Sequence, residues 1–236
     1  MKHFLLIFLV FFIDFQMVAQ ANIFNELLQK YVSEDGLVDY VAFKKELPKL
    51  KQYLNYLEKT SLDNSWSANQ QKAFYINAYN AFTIALILEY YPLKSITEIK
   101  QNNQSVWKIP FVKIGGKTMT LDFLEHEILR KKFDDPRIHV GVNCASISCP
   151  KLSNVAFTEQ NIETELERLM HEFVNDSSKN NISSDIVKIS AIFDWFKTDF
   201  TKNSSLIAFL NQYSKVKINP NATIQFLEYD WNINKQ

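Results

Sequence analysis

The chain has 236 residues, 47% of them hydrophobic and 14% aromatic, which suits one domain with a substantial core. Lys plus Arg and Asp plus Glu balance at 26 each, so no bulk field draws the protein to nucleic acid or to an anionic membrane. Only four glycines argue against an all-β fold dense in tight turns.

Residues 1–21 read as a signal peptide. Phe4 to Ile13 is an unbroken apolar run, well short of the ~20 residues that span a bilayer. Ala19-Gln20-Ala21 then offers small residues for a peptidase, so a mature chain starting near Ala21 or Asn22 and secreted or periplasmic is expected, with no membrane span after signal removal. Asp14, just after the run, leaves an uncleaved anchor as the alternative. Residues 22–236 read as a single domain.

Asn22 to Val32 has helical apolar spacing and ends before the turn signal Asp35-Gly36. A short extended piece at Leu37–Tyr40 precedes a helix from about Val41, interrupted near Pro48 and resuming through Leu50–Leu57. Ser67-x-x-Gln70 is a capping box opening the most apolar helix, which Pro92 stops. Apolar residues cover most of its circumference, so it is expected to be central and buried. Asn77 and Asn80 share one of its faces. Buried amides need partners, so these two either fix neighbouring loop backbone or orient a site from behind.

Phe111–Ile114, Gly115-Gly116 and Lys117–Leu121 form a β-hairpin signature. Asp122 is placed to cap the next helix, with Glu125 three residues on. Glu125 and His126 are adjacent there and point in different directions, but both can border one cleft. Ile138, Val140 and Val142 alternate with His139 and Gly141, the pattern of a short strand. It opens into Asn143-Cys144 and a small-residue loop closed by Pro150, which holds both cysteines, Cys144 and Cys149. An amphipathic helix is expected from Thr158 to about Val174, a strand over Asp185–Ile189, short aromatic helices near Ile192–Phe196 and Leu206–Tyr213, and a closing strand over Ile224–Trp231. The whole reads as α+β: one helix-rich domain with a small antiparallel sheet and a central buried helix.

The chain has no Gly-rich phosphate loop, no His-Glu-x-x-His and no paired Cys-x-x-Cys, and a three-histidine site would need His126, His139 and His171 together. Neither metal nor cofactor is expected. What remains is a thiol. Cys144 is the candidate nucleophile, His139 or His126 its base, Glu125 a carboxylate able to set a histidine tautomer, and Asn143 or a backbone N–H the oxyanion donor. Asn77, Asn80, Ser148 and Cys149 stand behind them as binding or supporting residues. In an oxidising compartment Cys144 and Cys149 can instead form a local disulfide, or act as attacking and resolving thiols.

The blocks Tyr75-Ile76-Asn77, Tyr79-Asn80-Ala81, Glu125-His126, Asn143-Cys144 and Ser148-Cys149-Pro150, with the late IFDWFKTDF and FLEYDWNIN, occur in an order that resembles the domain of unknown function 547 family. The resemblance runs from about Leu37 to the C-terminus. Tyr75 stands where tryptophan is usual, and Ala145-Ser146-Ile147 where many relatives have a glycine-containing loop. Similar domains occur fused to glutaredoxin-like modules, so the resemblance implies thiol or glutathione-related chemistry without assigning an activity. The expectation is a thiol-dependent hydrolase or transferase, loosely papain- or transglutaminase-like, acting on an unidentified small-molecule or peptide substrate. The alternatives are a non-catalytic binding or assembly domain with a Cys144–Cys149 disulfide, and a thiol redox role.

Overall fold

The computed structural model describes residues 22–236. The signal peptide expected over 1–21 lies outside the described residues. In chain order, α1 covers 22–31, α2 Tyr40–Phe43, α3 Leu47–Lys59 and α4 Ala68–Tyr90. Pro48 sits in the first turn of α3, where its missing N–H costs nothing, so it starts that helix rather than interrupting it.

α4 is the axis of the molecule. Both halves of its capping box form: Ser67 Oγ accepts from Gln70 N at 3.1 Å, and Gln70 Oε1 accepts from Ser67 N at 2.8 Å. Its buried residues face every direction, from Phe74 and Ile76 to Ile84, Ile87 and Leu88. Each such large side chain contributes about 1.5–3 kcal/mol on leaving water. α3 and the later helix Ile162–Asn175 pack against it. Near its start Lys72 is buried, its Nζ held by Asp135 Oδ2 at 2.8 Å and Glu163 Oε1 at 2.7 Å.

Between these helices the chain forms two small antiparallel pairs. β1 (Lys100–Gln101) pairs β2 (Gln104–Ser105), and β3 (Val112–Ile114) pairs β4 (Lys117–Met119). Gly115 and Gly116 turn the second hairpin at φ +56° and +73°, the left-handed values a two-residue turn requires.

The next helix differs from expectation at its start. Asp122 is itself helical and makes no capping bond; Thr120 Oγ1 accepts from Phe123 N at 2.9 Å instead. Phe123–Leu129 is wound as a π-helix, and α5 (Arg130–Phe133) continues it. π-Helical turns are rare and concentrate at functional sites.

The strand expected over Ile138–Val142 is not one. Ile138–Gly141 is a single helical turn, α6, wedged between α4 and α7 (Ile162–Asn175). All four of its residues are buried, so the apolar alternation marks no inside and outside; periodicity alone cannot separate a fully buried turn from a strand. The close approach needs Gly141: a Cβ there would stand 2.9 Å from Leu166 Cδ2 and 3.1 Å from Ile76 Cδ1. α7 starts later than expected because Thr158 and Asn161 exchange side-chain-to-backbone bonds in a turn ahead of it.

The last third builds a three-stranded sheet: β5 (Asn181–Ile182) pairs antiparallel with β6 (Ile186–Ile189), and β7 (Thr223–Phe226) pairs parallel with β6. The parallel pair needs a crossover, supplied by α8 (Ile192–Trp195), α9 (Lys197–Phe200) and α10 (Leu206–Tyr213). The closing strand is shorter than expected, because the chain leaves the sheet after Phe226 and runs back across the cysteine loop. Ile147 N donates to Asn232 O at 2.7 Å, and Asp230 N to Ser148 Oγ at 2.8 Å. Among the described residues no helix is long and apolar enough to cross a membrane.

Candidate functional site

Two buried asparagines of α4 each hold one stretch of backbone with both ends of the amide. Asn77 Nδ2 donates to Phe157 O at 2.8 Å and its Oδ1 accepts from Phe157 N at 3.0 Å. Asn80 Nδ2 donates to Gly141 O and its Oδ1 accepts from Asn143 N, both at 2.8 Å. The central helix thereby fixes the exit from α6 into the cysteine loop. Neither amide is left over for a ligand.

Asn143 is also occupied. Its Nδ2 donates to Pro150 O and its Oδ1 accepts from Ala145 N, each at 2.8 Å, which closes the loop on itself. The side chain cannot serve as the oxyanion donor expected of it; its work is to shape the turn. Ala145 completes that turn at φ +59°. Ser148, taken as a supporting residue, bonds the C-terminal segment as described above.

The sulfurs of Cys144 and Cys149 are at disulfide distance, with Cα atoms 6.3 Å apart. Cys149 is buried, and its Sγ accepts from Cys144 N at 2.9 Å. Cys144 is half-buried. Its Sγ meets Ser146 Oγ at 3.1 Å and Tyr229 Oη at 3.2 Å, and these two hydroxyls are themselves 3.1 Å apart. Among the described residues no imidazole is within hydrogen-bonding distance of that sulfur.

His139 looks elsewhere. On the helical turn α6 its ring lies flat against Phe196 at 3.9 Å, with Nε2 2.8 Å from Asp199 Oδ2 and Nδ1 3.9 Å from Glu125 Oε1, beyond hydrogen-bond reach. Arg130 grips the same Asp199 with two nitrogens, Nε at 2.6 Å and Nη2 at 2.8 Å, and its Nη1 reaches His126 Nδ1 at 3.0 Å. His126 and His139 therefore belong to one network ending on Asp199.

Cys144, Cys149, Glu125, His126 and His139 nonetheless line a single cavity of about 190 Å³. Its apolar wall is a contiguous aromatic group from positions far apart in sequence. Trp195 stacks on Trp231 at 5.8 Å, Tyr229 packs on both at 4.7 and 4.5 Å, and Trp107 meets Trp231 edge-on at 5.3 Å. A larger hollow of about 660 Å³ runs between the Lys151 region and His171, but neither cysteine lines it; His126, His139 and Glu125 face the smaller one. His171 is half-exposed and bonds Tyr213 O.

Burial pushes the Glu125 carboxyl up to about 7, although a hydrogen bond from Tyr79 and the charge of Arg130 pull it down. Burial lowers His139, with Asp199 opposing, and burial and then Arg130 lower His126, so both imidazoles are neutral at pH 7. Burial works against the Asp199 carboxylate too, but the bonds from Arg130 and His139 win and hold it well below the usual carboxylate range. Burial raises the Tyr229 phenol, so its hydroxyl keeps its proton and can donate to sulfur. The cavity thus offers a sulfur with two hydroxyls beside it, a carboxyl able to give or take a proton near neutral pH, and an aromatic surface. No group of three or more His, Cys, Asp or Glu side chains among the described residues is arranged to hold a metal ion.

Sequence reasoning named Glu125 only as an aid to a histidine; burial makes it the titrating group. It missed Asp199, Arg130, Tyr79 and Tyr229 as site residues. The signal for two of them was present in the late aromatic blocks IFDWFKTDF and FLEYDWNIN, which hold Asp199 and Tyr229.

A family model described as "Protein of unknown function, DUF547" matches residues 64–174. No curated protein and no solved structure matches the chain. The matched span contains Glu125, both cavity histidines and both cysteines, while Asp199 and the wall residues Trp195, Tyr229 and Trp231 come from beyond it. On this match, in agreement with the ordered blocks of the sequence, residues 64–174 are assigned to the DUF547 family.

Proposed function

We propose that the chain is a thiol-dependent hydrolase or transferase, exported from the cytoplasm, whose nucleophile is Cys144 once an external dithiol, itself closing to a disulfide, has supplied two electrons and two protons to its bond with Cys149. The observation that carries this reading is the convergence of the Cys144 sulfur and the Glu125 carboxyl on one small cavity. Ser146 and Tyr229 supply hydroxyl donors to the sulfur. Glu125 takes the thiol proton as sulfur attacks an acyl carbonyl and returns it to the leaving group, the task for which a carboxyl near 7 is suited. Water or an acceptor then gives its proton to Glu125 as it attacks the thioester, and Glu125 returns that proton to the departing sulfur as the acyl group is released. Tyr79, which hydrogen-bonds Glu125, is its positioning residue, and His139 is held by Asp199.

The test uses an activated ester. Reduced protein mixed with p-nitrophenyl acetate is expected to release nitrophenol in a burst and to carry acetyl on Cys144, both lost in Cys144→Ser and in the oxidised protein. Absence of the adduct, or its appearance on another residue, overturns the reading.

A thiol redox role is the second reading. It is favoured by the sulfur pair at bonding distance and by the Cys144 N–H aimed at Cys149 Sγ, a contact that would stabilise Cys149 as the leaving thiolate.

A further inference from the structure

The charges lining the cavity are of one sign. Asp122 and Glu125 are its carboxylates, its two histidines are neutral at pH 7, and it contains no lysine or arginine. Arg130, whose charge reaches Glu125, does not line the cavity and is held by Asp199 and His126. Across from the acids stands the aromatic wall of Trp107, Trp195, Tyr229 and Trp231. Aromatic faces attract cations through the ring quadrupole, by about 0.5–2 kcal/mol according to desolvation, and they offer an anion nothing. An anionic substrate group would meet two carboxylates with no compensating donor charge. A neutral apolar group would leave the buried Glu125 carboxylate with the hydrogen bond from Tyr79 but no opposite charge against it, since its one ion-pair contact among the described residues is with His139 at 3.9 Å.

We propose that this cavity binds an alkylammonium group, its charge against Glu125 and Asp122 and its carbons against the tryptophan–tyrosine wall. The substrate class of the thiol reaction is then one carrying a cationic amine. This deepens the reading of the cavity as a thiol enzyme's site, yet it can be tested without the thiol: the oxidised protein keeps the whole lining and has no free nucleophile. Three of the four tryptophans lie in the wall, whereas Trp66 packs on Phe74 elsewhere, so tryptophan fluorescence reports on occupancy.

Tyr79, Asp122, Arg130, His139, Asp199 and Tyr229 surround Glu125. The phenols of Tyr79 and Tyr229 are raised and the Asp199 carboxyl is lowered, so none of these three titrates with Glu125; protonation of His126 or His139 at the acid end acts in the same direction, against a cation.

The experiment titrates oxidised protein with choline against its uncharged isostere 3,3-dimethylbutan-1-ol, and with n-butylammonium against n-butanol. At least one cation is expected to bind about tenfold more tightly than its neutral counterpart. Which cation does so tells a quaternary from a primary amine. Choline keeps its charge at every pH, so a fall in its affinity of about threefold or more from pH 8 to pH 6 reports protein groups alone, and Glu125→Gln should flatten that fall. Trp195 is about half exposed, so Trp195→Ala leaves the fold intact and is expected to weaken binding by about fivefold. Equal binding of both neutral counterparts, or displacement of the cations by butyrate, overturns the proposal. Loss of ester chemistry in the reduced protein with ammonium binding intact would instead sink only the thiol reading.

Discussion

Burial raises the Glu125 carboxyl to about 7 from an ordinary 4.5, and the sign of its effect on stability follows. A carboxyl whose folded value lies above its unfolded one stabilises the fold below 4.5 and loses that contribution as pH rises through about 7. Above pH 7 the native state carries a buried carboxylate that glutamine would not. Glu125→Gln should therefore stabilise the protein at about pH 8 by roughly 1–3 kcal/mol, with the difference vanishing in acid. Thermal unfolding of both proteins across pH measures it, and the reading of Glu125 as a proton-transfer group requires the more stable variant to lose the ester reaction. Asp199 behaves in the opposite way. Its depressed value contributes stability above the ordinary carboxylate range, lost as pH falls through it. Asp199→Asn should cost about 1–2 kcal/mol at neutral pH, allowing for the partial exposure of the pair, and should shallow the acid limb of the stability curve.

At the level of elements, α4 and α6 together place the sulfur loop. Asn80→Ala leaves Gly141 O and Asn143 N without partners in a buried region, a cost of about 2–4 kcal/mol. Hydrogen exchange at the Asn143 amide should accelerate more than that at amides in the middle of α4. Gly141→Ala should cost about 1–3 kcal/mol, because Leu166 and Ile76 must yield to the added methyl. Chemical denaturation reads both. The role of Asn80 was legible in the sequence because helical spacing fixes a face and a buried amide must find partners. The form of α6 was not: Ile138, Val140 and Val142 alternate as a strand would, and only packing on every side reveals a helical turn. The hairpin at Gly115-Gly116 and the Ser67 capping box were readable because local chemistry alone dictates them. The late blocks mark the segments of Asp199 and Tyr229 but not their partners: they reach His139 and Cys144 across 60 and 85 residues of chain, and nothing local announces such contacts.

Across the whole molecule, the site draws its lining from Tyr79 to Trp231, and the C-terminal segment that completes it is tied back to the N-terminal part of the described chain. Residues 227–236 run from the sheet over the cysteine loop, and buried Asn234 accepts from Tyr40 Oη at 2.7 Å and donates to Gly36 O at 3.2 Å. Removing the chain after Phe226 takes away Tyr229, Trp231 and these ties, so the truncated protein should unfold at lower temperature and lose the ester reaction, even though it retains the full span matched by the family model. The central claim is that reduction releases a reactive sulfur at Cys144 in a cavity shaped by the whole chain. Peptide-resolved rates of iodoacetamide alkylation on the reduced, folded protein near pH 7 test it most directly. Cys144 is predicted to react faster than both Cys149 and the same residue in denatured protein; a Cys144 rate no higher than that of the denatured chain would contradict the account.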